Sequence, residues 1–409
     1  MKTVLNYKIW LLYAVVFTLP MYMRLNNVLL GIFIVLSLID IIFVSKKLDF
    51  KKYLTYGWPV IGFFALSVLA SYRSLEIDNI KYLETHWSLL FVPLLMLSEN
   101  ELYLSNRRGI FMSLLWGCLA TLVICYANLA LEIVESGKLL KDWFQDHYFA
   151  HSFTAIADTH PAYLSLFLVT SILFLIQDRQ LRKTLRYTLL LFFLFGLFQL
   201  ASKMALLLFV LFLFYIAVRN IKHYKQQLIV LVFGVTLCTS FFWAFENYYM
   251  QSRMLSVDAI FDNKRAQRWE VSYQIFKENP FIGVGYHTIE DVRKEKYQEG
   301  GYSLAAANEL NAHNQFLEYL SINGAIGGFV YAIALAFLFL LSIYKRDHLF
   351  TFIFFAFFLA NLTESMMVRI KGIEYYAIFG TLFLCSLDIG PQKGPTNTSK
   401  EQRRFKVID

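Results

Sequence analysis

An all-α polytopic membrane protein of about twelve transmembrane helices with one large outer loop is the fold the sequence predicts. Three observations predict it. Hydrophobic residues make up 57% of the 409 residues and charged residues only 17%, against about a quarter charged in soluble chains. The apolar stretches are continuous rather than alternating, which disfavours a transmembrane β-barrel. Lysine and arginine cluster in every second loop, as the positive-inside rule requires of a multi-pass helical chain.

The apolar runs lie near 8–23, 25–44, 56–72, 82–98, 110–134, 160–177, 187–202, 204–221, 228–246, 315–343, 349–366 and 372–388. Each approaches the roughly 20 residues that a 30 Å hydrocarbon core demands of a helix. They divide the chain into an N-terminal transmembrane bundle (1–246), an outer loop with short helices (247–314), C-terminal transmembrane helices (315–388) and a tail (389–409). The tail is polar and rich in proline and glycine, and is predicted to be disordered. No small-residue cleavage site follows the first apolar run, so that run is expected to stay as a helix.

Orientation follows from the cations. Lys46, Lys47, Lys51 and Lys52, then Arg107 and Arg108, Arg179 to Arg186, Arg219 to Lys225, and Lys345 with Arg346 fall in alternate loops. Both termini carry further lysine and arginine, which places the termini and these loops on the cytoplasmic side. The net charge of +8 is then a topology signal, and no nucleic-acid partner is expected. Cys118, Cys125, Cys238 and Cys385 all fall within apolar runs, so neither a disulfide framework nor a metal cluster is expected.

Three outer segments carry chemistry-bearing residues, each with two readings. His147, His151 and His160 fit either a metal site or an interfacial loop anchored by Trp143, with His160–Pro161 opening the next helix. Lys203, on the tight turn Ala201–Ser202–Lys203–Met204, either meets an anion or snorkels to the membrane surface. Arg265 and Arg268, three apart and hence on one helical face beside Trp269, form either a phosphate cradle or a solvated charged face. Asn279–Pro280–Phe281–Ile282–Gly283–Val284–Gly285 reads as a tight turn with close backbone approach.

His313 stands where this polar segment meets the next apolar helix. Asn314 is its natural N-cap, and Gly324, Gly327 and Gly328 follow. The histidine is either a proton-transfer group at the water boundary or a water-exposed histidine at a helix start. In the second case the glycines serve close helix packing. Glu364 either orients His313 or meets a substrate acceptor, or is an interfacial carboxylate paired with Arg369, and Arg24 is a further outer cation that could meet a lipid phosphate.

In order along the chain, the Ser-Lys turn, Arg-x-x-x-Trp, Asn-Pro-x-x-Gly-Val-Gly and His-Asn-x-x-Leu followed by Gly-x-x-Gly resemble the O-antigen ligase and polymerase superfamily. These are polytopic bacterial glycosyltransferases of the GT-C type. The resemblance implies a cell inner-membrane enzyme with a periplasmic active face. It would move a glycan from undecaprenyl pyrophosphate to a hydroxyl of lipid A–core, inverting and metal-independent, with no cofactor. It assigns His313 as general base and Arg265 as the pyrophosphate-binding arginine. Lys203 stands in place of a second arginine, a departure that keeps the charge and loses the planar fork. Arg268 enters only through its helical spacing. A polymerase with a second lipid-linked repeat as acceptor, and a transfer to protein, share the donor chemistry. A transporter or flippase would instead place ionisable residues deep in the spans; here Asp40, Glu84, His86 and Glu132 sit toward span ends.

Overall fold

The computed structural model describes residues 4–45, 48–72, 78–137, 148–200, 225, 228–229, 232–233, 235–236 and 263–387. These form helices and connecting turns, and there is no strand among them. In chain order the helices are α1 (Val4–Thr18), α2 (Met23–Ile39), α3 (Phe50–Ser71), α4 (Asp78–Ser98), α5 (Asn100–Ser105), α6 (Arg107–Glu135), α7 (Ala150–Thr154), α8 (Pro161–Gln177) and α9 (Lys183–Gln199). After the polar segment come α10 (Asn263–Glu278), α11 (Tyr286–Glu299), α12 (Ser303–Ala307), α13 (Gln315–Tyr344), α14 (His348–Thr363) and α15 (Ile370–Leu384).

Among the described residues, four helices are long and apolar enough to cross a membrane: Met23–Val44, Phe50–Ser71, Arg107–Glu135 and Gln315–Tyr344. A bent pair, Ala150–Ala157 with Pro161–Gln177 at 80°, makes five if it counts as one span. The sequence predicts about twelve. Part of the difference is length, since Tyr7–Thr18, Leu83–Ser98 and His348–Thr363 are apolar but short. The run expected near 204–221 lies outside the described residues, and so does most of 228–246.

The basic loops converge at one end of the bundle. Arg107 donates to both carboxylate oxygens of Asp347 at 2.7 and 3.0 Å, and Arg108 donates to Asp178 at 2.8 Å. Lys8, fully buried, bridges Asp40 and Glu99. A buried ammonium is tolerable only when paired, and here two carboxylates flank it. The connections before α8 and α13 and after α14 lie at the opposite end, because α8 and α13 run from that end to the basic one and α14 runs back from the basic end.

The helix α13 is broken. Gly324 has φ 63 and ψ −156, a conformation open essentially to glycine alone. The helical hydrogen bonds that would cross this residue include those from Ala325 N–H to the Ser321 carbonyl and from Ile326 N–H to the Ile322 carbonyl. These four groups are taken up by the turn Pro280–Gly285. Val284 and Gly285 N–H donate to the carbonyls of Ser321 and Ile322 at 3.1 and 2.9 Å. Ala325 and Ile326 N–H donate to the carbonyls of Pro280 and Phe281 at 2.7 and 3.4 Å. Gly283 and Gly324 have positive φ, and a Cβ on either would collide with backbone of the other segment.

Gly327 and Gly328 serve the same break. A Cβ at Gly327 would meet the Tyr319 carbonyl and Asn323, and one at Gly328 would meet Leu320 and Phe316, all in the first arm of α13 itself. The three glycines were expected to let neighbouring helices pack closely; instead they let one helix turn against itself. Phe63 of α3 packs on a ring from each arm, Tyr319 at 5.5 Å and Tyr331 at 6.2 Å between centroids. Asn323 donates to the Leu66 carbonyl at 2.8 Å, fixing the break to α3.

Replacing Gly324 by alanine should destabilise the protein by at least about 1–3 kcal/mol, the cost of a strained backbone, with the collision added. Gly31→Ala, at a helical position with open space around it, should leave the thermal unfolding midpoint in detergent almost unchanged. Equal midpoints for the two variants would show that the break is not required.

Candidate functional site

His313 is placed by the N-terminus of α13. Asn314 caps that helix, its side-chain oxygen accepting from Phe316 and Leu317 N–H at 3.0 and 3.2 Å. The cap is extended, and His313 before it adopts φ 46, left-handed for a non-glycine residue. His313 N–H donates to the Asn311 side chain at 3.0 Å.

Glu364 arrives from the other side. It ends α14 in an extended conformation, so its side chain leaves the helical direction. Two hydrogen bonds staple this segment to the start of α13. Asn314 donates to the Leu362 carbonyl at 3.3 Å, and the buried Gln315 side chain accepts from Met367 N–H at 2.6 Å. The result is an imidazole–carboxylate pair, His313 Nδ1 to Glu364 Oε2 at 3.0 Å, with both side chains partly exposed. Arg265 of α10 approaches the other carboxylate oxygen, its guanidinium 4.0 Å from Oε1. Burial alone would raise the Glu364 carboxyl, but the hydrogen bond from His313 and the charges of His313, His160 and Arg265 hold it below its ordinary value. Glu364 is therefore an anion at neutral pH.

The pairing corrects one alternative, since Glu364 engages His313 and Arg265 rather than Arg369. Arg369 is exposed nearby, and its charge is felt at His160. His160 is the N-cap of α8, its Nδ1 accepting from Ala162 N–H at 3.2 Å while Pro161 opens the helix. An imidazole accepting at Nδ1 is neutral and carries its proton on Nε2. His160 shares Glu364 and His313 as electrostatic neighbours. Its backbone is fixed to the same region because Lys371 donates to the Asp158 carbonyl at 2.9 Å.

The His151 and His160 rings stand edge to face at 4.4 Å. Among the described residues no three His, Cys, Asp or Glu side chains lie so as to hold a metal ion, and His147 lies outside them. The charge of Arg268 is felt at Tyr297 of α11. Arg24 is exposed at the start of α2, beside a turn whose Tyr22 N–H donates to the Ala157 carbonyl at 2.9 Å, hence at the same end of the bundle. Lys203 lies outside the described residues.

The structure thus brings His313, Asn314, Glu364 and Arg265 together. His160, Gln315, Arg293 and Glu318 belong to the surroundings of the site, and sequence reasoning gave them no such place.

Residues 187–332 match the family model described as O-antigen ligase. Over these residues, about a third of the chain, the protein is similar to the O-antigen ligase family, in line with the resemblance carried by its motifs. A search of curated proteins finds no match. The family carries with it a membrane setting and lipid-linked glycans as the substrate class. The matched domain includes Arg265, His313 and the repaired break of α13, whereas Glu364 and His160 lie outside it.

Removing the Gln315 acceptor leaves the Met367 N–H buried and unpaired, at a cost of about 1–3 kcal/mol. Gln315→Leu should lower the unfolding midpoint accordingly. An unchanged midpoint would show that the staple is dispensable.

Proposed function

We propose that the protein is a ligase-type glycosyltransferase of the inner membrane. It moves a glycan from undecaprenyl pyrophosphate to a hydroxyl of lipid A–core on the periplasmic face, with both termini cytoplasmic. The observation that carries the reading is the His313–Glu364 pair with Arg265 alongside. The 247–314 segment is then the periplasmic loop between two transmembrane units.

The chemistry follows from the atoms. Glu364 accepts from Nδ1–H of His313, which leaves Nε2 with its lone pair free to take a proton. The acceptor hydroxyl gives that proton to Nε2 as its oxygen attacks the anomeric carbon. The carbon–oxygen bond to phosphate breaks on the opposite side, and pyrophosphate leaves with the electron pair. Attack from the face opposite the leaving group inverts the anomeric centre. Arg265 neutralises the charge growing on the pyrophosphate, in concert with Lys203 and Arg268, and Arg24 meets the lipid phosphate from the rim. A positioned base contributes about 10²–10⁴-fold, enough when the leaving group is already good.

His313→Ala should therefore insert and fold normally while losing transfer by about 10²–10⁴-fold. The assay offers purified protein a lipid-pyrophosphate glycan with lipid A–core in one tube and the donor alone in another, both with EDTA. Product only with lipid A–core supports the ligase. Chain growth on donor alone would make the enzyme a polymerase, and loss of product in EDTA would refute a metal-independent reaction. Full transfer by well-folded His313→Ala would remove the base.

Glu364→Gln keeps a group that can accept from Nδ1–H but has no charge to stabilise the imidazolium. Its turnover is expected to fall by about 10–100-fold, as for other partners that orient a histidine. Substrate KM should change little, and a change confined to KM would assign Glu364 to substrate binding instead.

A further inference from the structure

Beneath His313 lies an ion pair that the chemistry above does not use. Arg293 of α11 donates to Glu318 Oε1 at 2.9 Å, and both residues are nearly fully buried, 5% and 3% exposed. The second oxygen of Glu318 accepts from Ala312 N–H at 2.9 Å. Ala312 immediately precedes His313. Glu318 lies in the first turn of α13, where its own N–H donates to the Asn314 carbonyl at 2.9 Å. One carboxylate thus reaches back over the cap and holds the backbone on the N-terminal side of the histidine.

Three constraints then bracket His313. Its own N–H is held by Asn311, the preceding N–H by Glu318, and the following residue is the helix cap. A left-handed non-glycine residue is sparsely populated and persists only where its surroundings over-determine it. Asn311 and Asn314 act locally. Glu318 can hold Ala312 only while its carboxylate is itself fixed, and Arg293 from a different helix fixes it.

We propose that Arg293 and Glu318 are positioning residues for His313, a clamp through which α11 sets the direction of the imidazole toward Glu364 and the acceptor. The proposal rests on the reading of His313 as base only for its effect on turnover, not for its effect on the histidine itself. A buried ion pair is a poor source of stability, because desolvation of both charges offsets their attraction. Its retention here follows from what one of its oxygens holds.

Two variants test the clamp in the full-length protein in detergent. Arg293→Met with Glu318→Leu removes both charges, leaves neither buried unpaired, and deletes the acceptor for Ala312 N–H. Arg293→Lys keeps the charge and loses the planar fork. The first readout is the rate at which diethyl pyrocarbonate modifies His313, followed by mass spectrometry of its peptide. The second is transfer, split into kcat and KM.

The clamp predicts a changed His313 modification rate in both variants, larger in the double one. It also predicts a fall in kcat of up to about 10²-fold at little-changed KM, the scale of a 1 Å misplacement. If the double variant does not fold, Arg293→Lys decides alone. An unchanged modification rate in folded Arg293→Lys, and in the double variant if it folds, would overturn the clamp. A changed rate with transfer intact would leave the clamp standing and remove His313 from the chemistry.

Discussion

Everything around His313 depends on backbone hydrogen bonds that one helix gives up. Where α13 breaks at Gly324, the carbonyls of Ser321 and Ile322 and the amides of Ala325 and Ile326 lose their helical partners. Irregular backbone in a membrane protein survives only where other protein groups satisfy it. The Pro280–Gly285 turn supplies two amides and two carbonyls in register, so each of these four groups has a new partner. The repair also has a geometric result. It pins the segment between α10 and α11 to the first arm of α13, so Arg265 on α10 and Arg293 on α11 are brought to the same short stretch that carries His313 and Glu318.

The two ends of the bundle solve the problem of charge differently. At the basic end, charges are paired closely and serve cohesion: Arg107 with Asp347, Arg108 with Asp178, and Lys8 between Asp40 and Glu99. At the other end, above the buried Arg293–Glu318 pair, the pairing around Glu364 is looser and partly open. Arg265 stands 4.0 Å from Glu364, and its five donors are not consumed by one distant oxygen. Surface pairs of this kind contribute little to stability. Their loose geometry leaves the Arg265 guanidinium and the His313 imidazole partly exposed.

Much of this was legible in the sequence, and the exceptions have physical reasons. The helical membrane class follows from composition, and the Asn314 cap from local chemistry, so both hold. So does the reading of His160–Pro161 as the opening of a helix. The glycines after His313 were misassigned because close helix packing and a sharp break ask the same thing of a residue, the absence of Cβ. Only the partner segment distinguishes them, and it lies some forty residues upstream in Pro280–Gly285. Glu364 has Arg369 near in sequence, but its extended backbone turns the carboxylate toward His313. Arg265 and Arg268 share a helical face by spacing; the structure sets Arg265 beside Glu364, while the charge of Arg268 is felt at Tyr297 of α11. The Arg293–Glu318 pair had no signal, since a charged residue on an amphipathic helix reads as solvated until its burial is seen.

The boundaries of the family domain bear on how such a site is completed. Residues 187–332 contain the histidine and Arg265, but the carboxylate that fixes the histidine ring comes from the end of α14 and the second imidazole from the start of α8. The carboxylate is held by bonds that cross that boundary, Gln315 to Met367 and Asn314 to Leu362. A neutral imidazole without such a carboxylate is free to choose either tautomer, and only one of them leaves Nε2 able to accept a proton. The matched segment therefore carries the histidine, while flanking helices set which of its two nitrogens holds the proton.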